Sequence, residues 1–144
     1  MSSIHLRIRE GAYALADKDE EFAVLQGGAG ALLSSARTID EAGLEAAIEH
    51  AEDWLMPHAA RLRDAVLEVT DATGALRSGM QDVLSVTARA WSVEDVEGHF
   101  LRLVDMATGR VPAAVLAGRQ QFVAHVLLLR ELAHHGRLRE IRLA

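Results

Sequence analysis

The strongest constraint on the fold is a nearly continuous apolar segment close to the C-terminal end of the chain, residues 122–132. Three polar residues interrupt it, namely His125, Arg130 and Glu131. A helix that is apolar on almost every face is packed on most of its sides, and a membrane span would need about 20 apolar residues without such charges. The segment therefore predicts a central helix that begins at Val111–Pro112, ends before Gly136 and anchors the core.

Capping signals predict further helices in the preceding part of the chain. In each signal a Ser, Thr or Asp stands three positions before an acidic residue or Gln, which satisfies the free N–H groups at a helix start. The signals begin at Asp17, Thr38, Ser78 and Ser92. After Thr38, apolar residues recur at helical spacing, at Leu44, Ile48, Ala51 and Leu55. This combination of cap and stripe predicts a helix from about residue 40 to residue 55.

Residues 57–73 are also predicted to be helical. Leu62, Val66 and Val69 recur at helical spacing, and Gly74 follows as a stop signal. Pro57 either ends the preceding helix or begins this one, because proline lacks an N–H group and fits the first helical turn. Together with the other segments, this pattern predicts five or six helices around the long C-terminal one.

The two ends of the chain carry strand signals. In residues 1–16 apolar and polar side chains alternate, and Glu10–Gly11 would close a β-hairpin. A helix that runs through Gly11, at a glycine cost of about 1 kcal/mol, is the alternative. Residues 137–144 are predicted to form either a second strand or a tail. As a strand they would pair with the first strand of the chain.

These patterns together predict the fold class and the domain organisation. We expect a mainly α, single-domain bundle over residues 1–144, with a helical core over residues 17–135. The two ends would add a small β-ribbon. A chain of 144 residues and 50% hydrophobic content can bury a sizeable core without disulfides or a structural metal.

Composition excludes several classes of protein. Cysteine is absent, so disulfides, thiolate metal sites and a cysteine nucleophile are excluded. The net charge of −6, without a basic recognition helix, argues against nucleic acid as a partner. No signal peptide and no membrane-spanning segment is apparent, so we predict a cytoplasmic, bacterial-type protein without a membrane partner.

The charges are distributed unevenly along the chain. Residues 1–72 carry six basic and fourteen acidic side chains, net −8, whereas residues 73–144 carry nine and seven, net +2. Opposite charges of this kind either neutralise each other inside the domain or meet across a subunit interface. The sequence therefore predicts a protein partner or a homo-oligomer.

Metal-binding motifs are incomplete in this sequence. The pair Glu131 and His134 has the Glu-x-x-His spacing of a carboxylate-bridged di-iron site, but the second copy that such a site needs is absent. His50, Asp53 and His58 are weak candidates for a mononuclear site, since three-residue spacing places the first two on one helix face. A solvated acidic face explains them equally well, and we predict neither a metal nor a cofactor.

One group of residues suggests a binding pocket. His125 lies in the most apolar part of the long helix, where burial would lower its pKa and require a hydrogen-bond partner. His99, one helix earlier, is a candidate partner, and Arg119 would bind an anion beside such a cavity. His134 and His135 are explained as cations at a helix C-terminus.

The sequence contains no complete catalytic set and no Gly-x-Ser-x-Gly nucleophile motif. We therefore expect a small accessory, adaptor or regulatory protein that acts through protein contacts and self-associates, rather than an enzyme. The alternative is a helical domain that binds a ligand or metal in a pocket near His99, Arg119 and His125. Such a domain could be either a binding protein or an enzyme.

Overall fold

A six-stranded mixed sheet organises the molecule, with strand order β3-β2-β1-β4-β6-β5. The computed structural model describes residues 2–109 and 114–144. The strands are β1 (Ser3–Arg9), β2 (Ala12–Asp17), β3 (Glu20–Gln26), β4 (Val66–Asp71), β5 (Ala90–Trp91) and β6 (Glu140–Leu143). Strands β1, β4 and β6 are parallel to one another, and β2, β3 and β5 run antiparallel to their neighbours. The predicted mainly α bundle is therefore wrong, because the protein has an α/β fold.

Six α-helices accompany the sheet within the described residues. They are α1 (Ala29–Leu32), α2 (Glu41–Leu55), α3 (Ala59–Leu62), α4 (Ala75–Asp82), α5 (Val93–Ala107) and α6 (Gln120–Gly136). Short 3-10 turns cover Met56–His58 and Ala114–Leu116. The predicted start of the long helix at Val111–Pro112 lies outside the described residues, and the helix seen in the structure begins at Gln120. None of the described helices is long and apolar enough to cross a membrane.

Helix α6 is the centre of the core, as its apolar sequence requires. Almost all of its side chains from Phe122 to Ala133 are buried, and it packs against the other five helices. The sheet presents one apolar face to the same core, through Ile4, Leu6 and Ile8 of β1 and Leu67 and Val69 of β4. The β1 side chains on the opposite face, His5, Arg7 and Arg9, are polar and partly or fully exposed, which gives β1 its alternating sequence.

Two segments are strands where the sequence predicts helices. The first is β3, which stands where the cap signal at Asp17 predicts a helix. The acidic run at Asp17 is the hairpin turn between β2 and β3, with Lys18 at a φ of 56° and Asp17 paired with Glu20. Val66–Asp71 forms β4, which lies between β1 and β6. Central parallel strands are apolar without strict alternation, so the spacing of the apolar residues in β4 also matches a helix.

Helix α5 begins with the capping box that the sequence predicts. Ser92 Oγ accepts a hydrogen bond from the N–H of Asp95 at 3.0 Å, and an Asp95 carboxylate oxygen accepts one from the N–H of Ser92 at 2.9 Å. Hydrogen bonding of the Asp95 carboxylate to the backbone N–H of Ser92, and to the Ser92 side chain, lowers the pKa of Asp95. Two N–H groups that have no partner within the helix are thereby satisfied.

We expect Ser92→Ala to lower the free energy of unfolding by about 1 kcal/mol, because the N–H of Asp95 loses its acceptor. Urea unfolding followed by circular dichroism measures the change. The matched control is Ser35→Ala in the exposed loop between α1 and α2, for which we expect less than about 0.5 kcal/mol. Equal losses in the two variants would contradict the assigned role of the cap.

Candidate functional site

The candidate site lies at the carboxyl ends of β1 and β4. After β1 the chain turns to β2 on one side, and after β4 it continues to β5 and β6 on the other side, so the direction of the connections reverses between these two neighbours. In open α/β sheets ligands bind in the crevice outside the carboxyl ends of the strands, at such a switch point. A hydrogen bond of 2.9 Å from the N–H of Ala72 to the carbonyl of Ile8 joins the two strand ends.

The Asp71 carboxylate fixes the loop that follows β4. One oxygen accepts hydrogen bonds from the N–H of Thr73 at 2.8 Å and from its hydroxyl at 2.5 Å. The other oxygen accepts one from the N–H of Leu76, in the first turn of α4, at 2.9 Å. Gly74 completes the turn with a φ of 72°, a conformation that favours glycine. The loop is therefore held in one conformation by the carboxylate itself.

A line of hydrogen bonds leads from Asp71 into the core. The Thr73 hydroxyl lies 3.2 Å from Nε2 of His125, and Nδ1 of His125 lies 2.7 Å from the hydroxyl of Tyr13. Both Tyr13 and His125 are fully buried, whereas the Asp71 side chain is 10% exposed. The line thus connects the interior of the protein with a carboxylate at the surface.

Only one arrangement of protons satisfies this line with a neutral imidazole. Thr73 donates its single hydroxyl proton to the Asp71 carboxylate, so its oxygen accepts from Nε2–H of His125. Nδ1 of His125 is then unprotonated and accepts the hydroxyl proton of Tyr13. Each member donates toward Asp71, which leaves the negative charge of the carboxylate as the one formal charge in the group.

Burial keeps the two interior members of the line neutral. It lowers the pKa of His125 to about 4, against the opposing attraction of Asp71. It also raises the pKa of Tyr13, and the negative charge of Asp71 acts in the same direction. Near neutral pH the imidazole therefore acts as a hydrogen-bond relay rather than as a cation.

A surface pocket of about 530 Å³ opens beside Asp71 and Gly74. Two arginines lie at this pocket or next to it. Arg77 of α4 lines the pocket and donates to the backbone carbonyl of Ala144 at 2.9 Å. Arg119 donates to the hydroxyl of Ser78 at 3.3 Å and forms an ion pair with Asp82 at 3.2 Å. The pocket therefore combines the fixed carboxylate of Asp71 with the guanidinium group of Arg77, the Ser78 hydroxyl and the Asp82 carboxylate, to which Arg119 is paired.

The structure places His125 and Arg119 at this end of the sheet but not His99. The ring of His99 packs against Trp91 at 5.1 Å, and burial lowers its pKa. Sequence reasoning missed Asp71, Thr73 and Tyr13. The available signal was an Asp and a Thr-Gly pair directly after an apolar, β-branched run, but that run was assigned to a helix.

The candidate metal ligands His50, Asp53 and His58 do not form a cluster. Nδ1 of His50 lies 3.1 Å from the carbonyl of Ala31, the ring of His58 packs against Phe22, and Asp53 is exposed. Among the residues that the structure describes, a different trio brings its ligand atoms within 4.8 Å of one another, and it consists of Glu52, Glu131 and His135.

The architecture is that of an α/β domain with a switch point, and solved structures share it. No protein-family profile and no curated protein sequence matches the chain. An exopolyphosphatase from Cytophaga hutchinsonii matches over 99% of this chain and 53% of its own, with a TM-score of 0.59 and 14% identity. The type II variant of the Aquifex aeolicus Ppx/GppA phosphatase matches equally well, with a TM-score of 0.59, 9% identity and the same coverage of both chains. A second Aquifex aeolicus structure of the Ppx/GppA family has a TM-score of 0.55 and 10% identity, over 99% of this chain and 52% of that one.

These likenesses establish the fold, and the chain spans about half the length of the structures it matches. They also correct the functional expectation. The predicted adaptor role rested on a helical bundle without a catalytic set, whereas the structures that share this fold are described as phosphatases. The expectation of an all-α adaptor is therefore wrong, because the chain has an α/β fold that these solved phosphatase structures share.

Proposed function

We propose that this chain is a phosphate-binding domain of a phosphoanhydride hydrolase, with its binding pocket at the carboxyl end of β4, between this strand and α4. The observation that carries the proposal is the Asp71 carboxylate, which is fixed by three hydrogen bonds at the switch point of the sheet and faces an open pocket. The likeness to an exopolyphosphatase and to Ppx/GppA phosphatases supports the choice of substrate class. Because those proteins are about twice as long, binding is the property to test on this chain.

The two arginines would hold the phosphate groups. A guanidinium group presents paired N–H donors that match two oxygens of a phosphate, and it stays charged at all relevant pH values. Arg77 and Arg119 presently donate to a backbone carbonyl, a serine hydroxyl and an exposed carboxylate. A phosphate at the pocket would exchange these partners for stronger, charge-assisted hydrogen bonds, with the Ser78 hydroxyl as a further donor.

Asp71 would orient the attacking water. In phosphoanhydride hydrolysis the water oxygen bonds to phosphorus, the bond to the bridging oxygen breaks, and the water loses a proton. A carboxylate oxygen that accepts a hydrogen bond from this water fixes its direction and receives the proton. Phosphoryl transfer depends mainly on such positioning and on charge stabilisation, so Asp71 need not be a strong base. The neutral line behind it through Thr73 and His125 keeps the carboxylate in place.

Binding of inorganic tripolyphosphate tests the proposal. We expect saturable binding in calorimetric titration at moderate salt and with Mg²⁺ in the buffer, and about a tenfold weaker affinity in each of Arg77→Ala and Arg119→Ala, which corresponds to about 1.4 kcal/mol. The loss follows from the removal of one guanidinium group that contacts the phosphates. The matched control is Arg63→Ala. Arg63 is exposed and lies before the amino end of β4, whereas the pocket lies at the carboxyl end of this strand.

For Arg63→Ala we expect less than a twofold change. Absence of saturable binding by the folded wild-type chain would refute the proposal. An equal loss in the Arg63 variant would also refute it, because it would reduce the effect to general electrostatic attraction. Far-UV circular dichroism of each variant confirms that the fold is intact before titration.

A further inference from the structure

A second cluster of charged side chains lies away from the candidate site, between α2 and α6. Glu131 and His135 are one helical turn apart on α6, and Glu52 approaches them from α2. Nε2 of His135 lies 3.2 Å from Oε1 of Glu52 and 3.4 Å from Oε1 of Glu131. Residues four apart on a helix share one face, so both α6 side chains point to the same partner on α2.

We propose that Glu52, Glu131 and His135 form a binding site for one divalent transition-metal ion, with Zn²⁺ as the best fit. An imidazole nitrogen and two carboxylate oxygens are common ligands of Zn²⁺ in proteins. Tetrahedral ligands at about 2.0 to 2.1 Å from the metal lie about 3.3 Å from one another. The two distances from His135 to the carboxylates, 3.2 and 3.4 Å, already match this spacing.

A buried oxygen without a partner points independently to a ligand. Glu131 is 0% exposed, and its Oε1 has no hydrogen-bond partner among the described residues apart from the 3.4 Å ion-pair contact with His135, whereas the other carboxylate oxygen accepts from Arg130 at 2.6 Å. A buried acceptor that lacks a partner costs about 1 to 3 kcal/mol, so such groups are rare in folded proteins. The free oxygen faces Glu52 and His135, where a bound cation would satisfy it.

The charges around the cluster are also consistent with a divalent cation. Glu52 and Glu131 belong to it, and Arg130 binds both Glu131 and Glu97 of α5. With a neutral imidazole, three carboxylates and one guanidinium group leave two negative charges. A divalent ion balances them. Glu52 and His135 are 38% and 27% exposed, so the ion can enter from solvent and keep a water molecule as its fourth ligand.

Calorimetric titration of the untagged, chelator-treated chain with ZnCl₂ at pH 7 tests this site. We expect one equivalent to bind to the wild type. His135→Ala and Glu52→Gln should each lower the affinity at least tenfold, because each removes one of three protein ligands. The matched control is His134→Ala, the exposed neighbour on the same helix, which should bind Zn²⁺ as the wild type does. We also expect Zn²⁺ to raise the melting temperature of the wild type and of the His134 variant, but not that of the His135 and Glu52 variants.

Failure of the wild type to bind one equivalent would overturn the proposal. So would unchanged binding in both ligand variants, or an equal loss in the His134 variant. Co²⁺ as a spectroscopic probe provides a second measurement, because it reports four-coordinate geometry through its visible absorption. Mg²⁺ should not compete, since it prefers six oxygen ligands. The test does not depend on phosphate binding, so the two proposals can fail separately.

Discussion

Gly79→Ala is expected to destabilise the protein by about 3 kcal/mol, which lowers the melting temperature by about 10 °C for a chain of this size. Gly79 lies on α4 where this helix crosses α6. A Cβ atom at this position would stand 2.1 Å from Cγ of Phe122 and 2.2 Å from one Cδ. Phe122 is fully buried in the core, so its ring has no free space to move into. The two helices must separate, which exceeds the gain of about 1 kcal/mol in helix propensity.

Gly98→Ala is the matched control for this prediction. Gly98 also lies within a helix, α5, but it is exposed and no atom lies within 4 Å of a Cβ built there. We expect this variant to be more stable than the wild type by about 0.5 to 1 kcal/mol. In addition, Phe122→Leu in the Gly79→Ala background should recover part of the loss, because the smaller side chain leaves room for the methyl group. Thermal unfolding of the wild type, the two glycine variants and the double variant measures these differences. A Gly79 variant whose melting temperature equals or exceeds that of the wild type would contradict the close contact between α4 and α6.

Local signals in the sequence predict some elements correctly. The cap at Ser92 and the nearly continuous apolar segment 122–132 lead to helices that the structure contains. The alternation in β1 and the turn at Glu10–Gly11 lead to its hairpin with β2. In each case the information lies within a few neighbouring residues. Capping, burial on all sides and period-two alternation act at that range.

Strand β4 shows why the fold class was not predictable from the same signals. It is paired on both sides by parallel strands, β1 and β6, whose sequences lie far from it. The apolar residues of a buried strand follow no fixed period, and Leu62, Val66 and Val69 fit a helical stripe by coincidence. If residues 66–71 are a helix, the predicted terminal strands have no partner except each other. The structure inserts β4 between them instead.

The candidate site shows the same limitation at the level of side chains. His125 was identified because a histidine in an apolar helix is unusual, which is a local observation. Its partners Tyr13 and Thr73 are 112 and 52 positions away in the sequence, and Glu52 is 83 positions from His135. No single-sequence pattern links residues at such separations, because the pairing arises from sheet order and helix packing. Self-association through the uneven charge distribution stays a prediction.

His125 should make the stability of the protein depend on pH below about 6.5. Its pKa falls from 6.5 to about 4 on folding because burial disfavours the imidazolium. The unfolded chain therefore binds one more proton than the folded chain between these two values, and acidification favours unfolding. The stabilisation is fully present above pH 6.5 and is lost as the pH falls toward 4. A shift of this size corresponds to at most about 3 kcal/mol.

The geometry around the ring explains why the proton is excluded. In the neutral state Nδ1 accepts from the Tyr13 hydroxyl, so protonation there removes that acceptor and leaves two donors facing each other. The charged group that faces the ring is Asp71 of β4, and its attraction only partly offsets the cost of burial. Tyr13 of β2 stays protonated throughout, since burial raises its pKa.

His125→Gln isolates this contribution, because the amide does not titrate but still offers a donor and an acceptor. We expect the free energy of unfolding of the wild type to fall relative to the variant by about 1.4 kcal/mol per pH unit between about 6.5 and 4. Urea unfolding at a series of pH values from 7.5 to 4.5 measures the difference directly. Burial also raises the pKa of Glu131, and the stability that this group contributes is lost as the pH rises. Because Glu131 is present in both proteins, its contribution cancels in the difference between their free energies of unfolding.

The matched control replaces the exposed His134 by Gln and retains His125, so its profile should run parallel to that of the wild type. If the profiles of the wild type and the His125 variant also ran parallel, the imidazole would not be held neutral. The proton arrangement from Tyr13 to Asp71 would then be wrong. Converging profiles at low pH would instead mean that the line of neutral groups is a folding device as well as support for Asp71. Mutations along it would then alter acid stability and, under the proposed function, phosphate binding together.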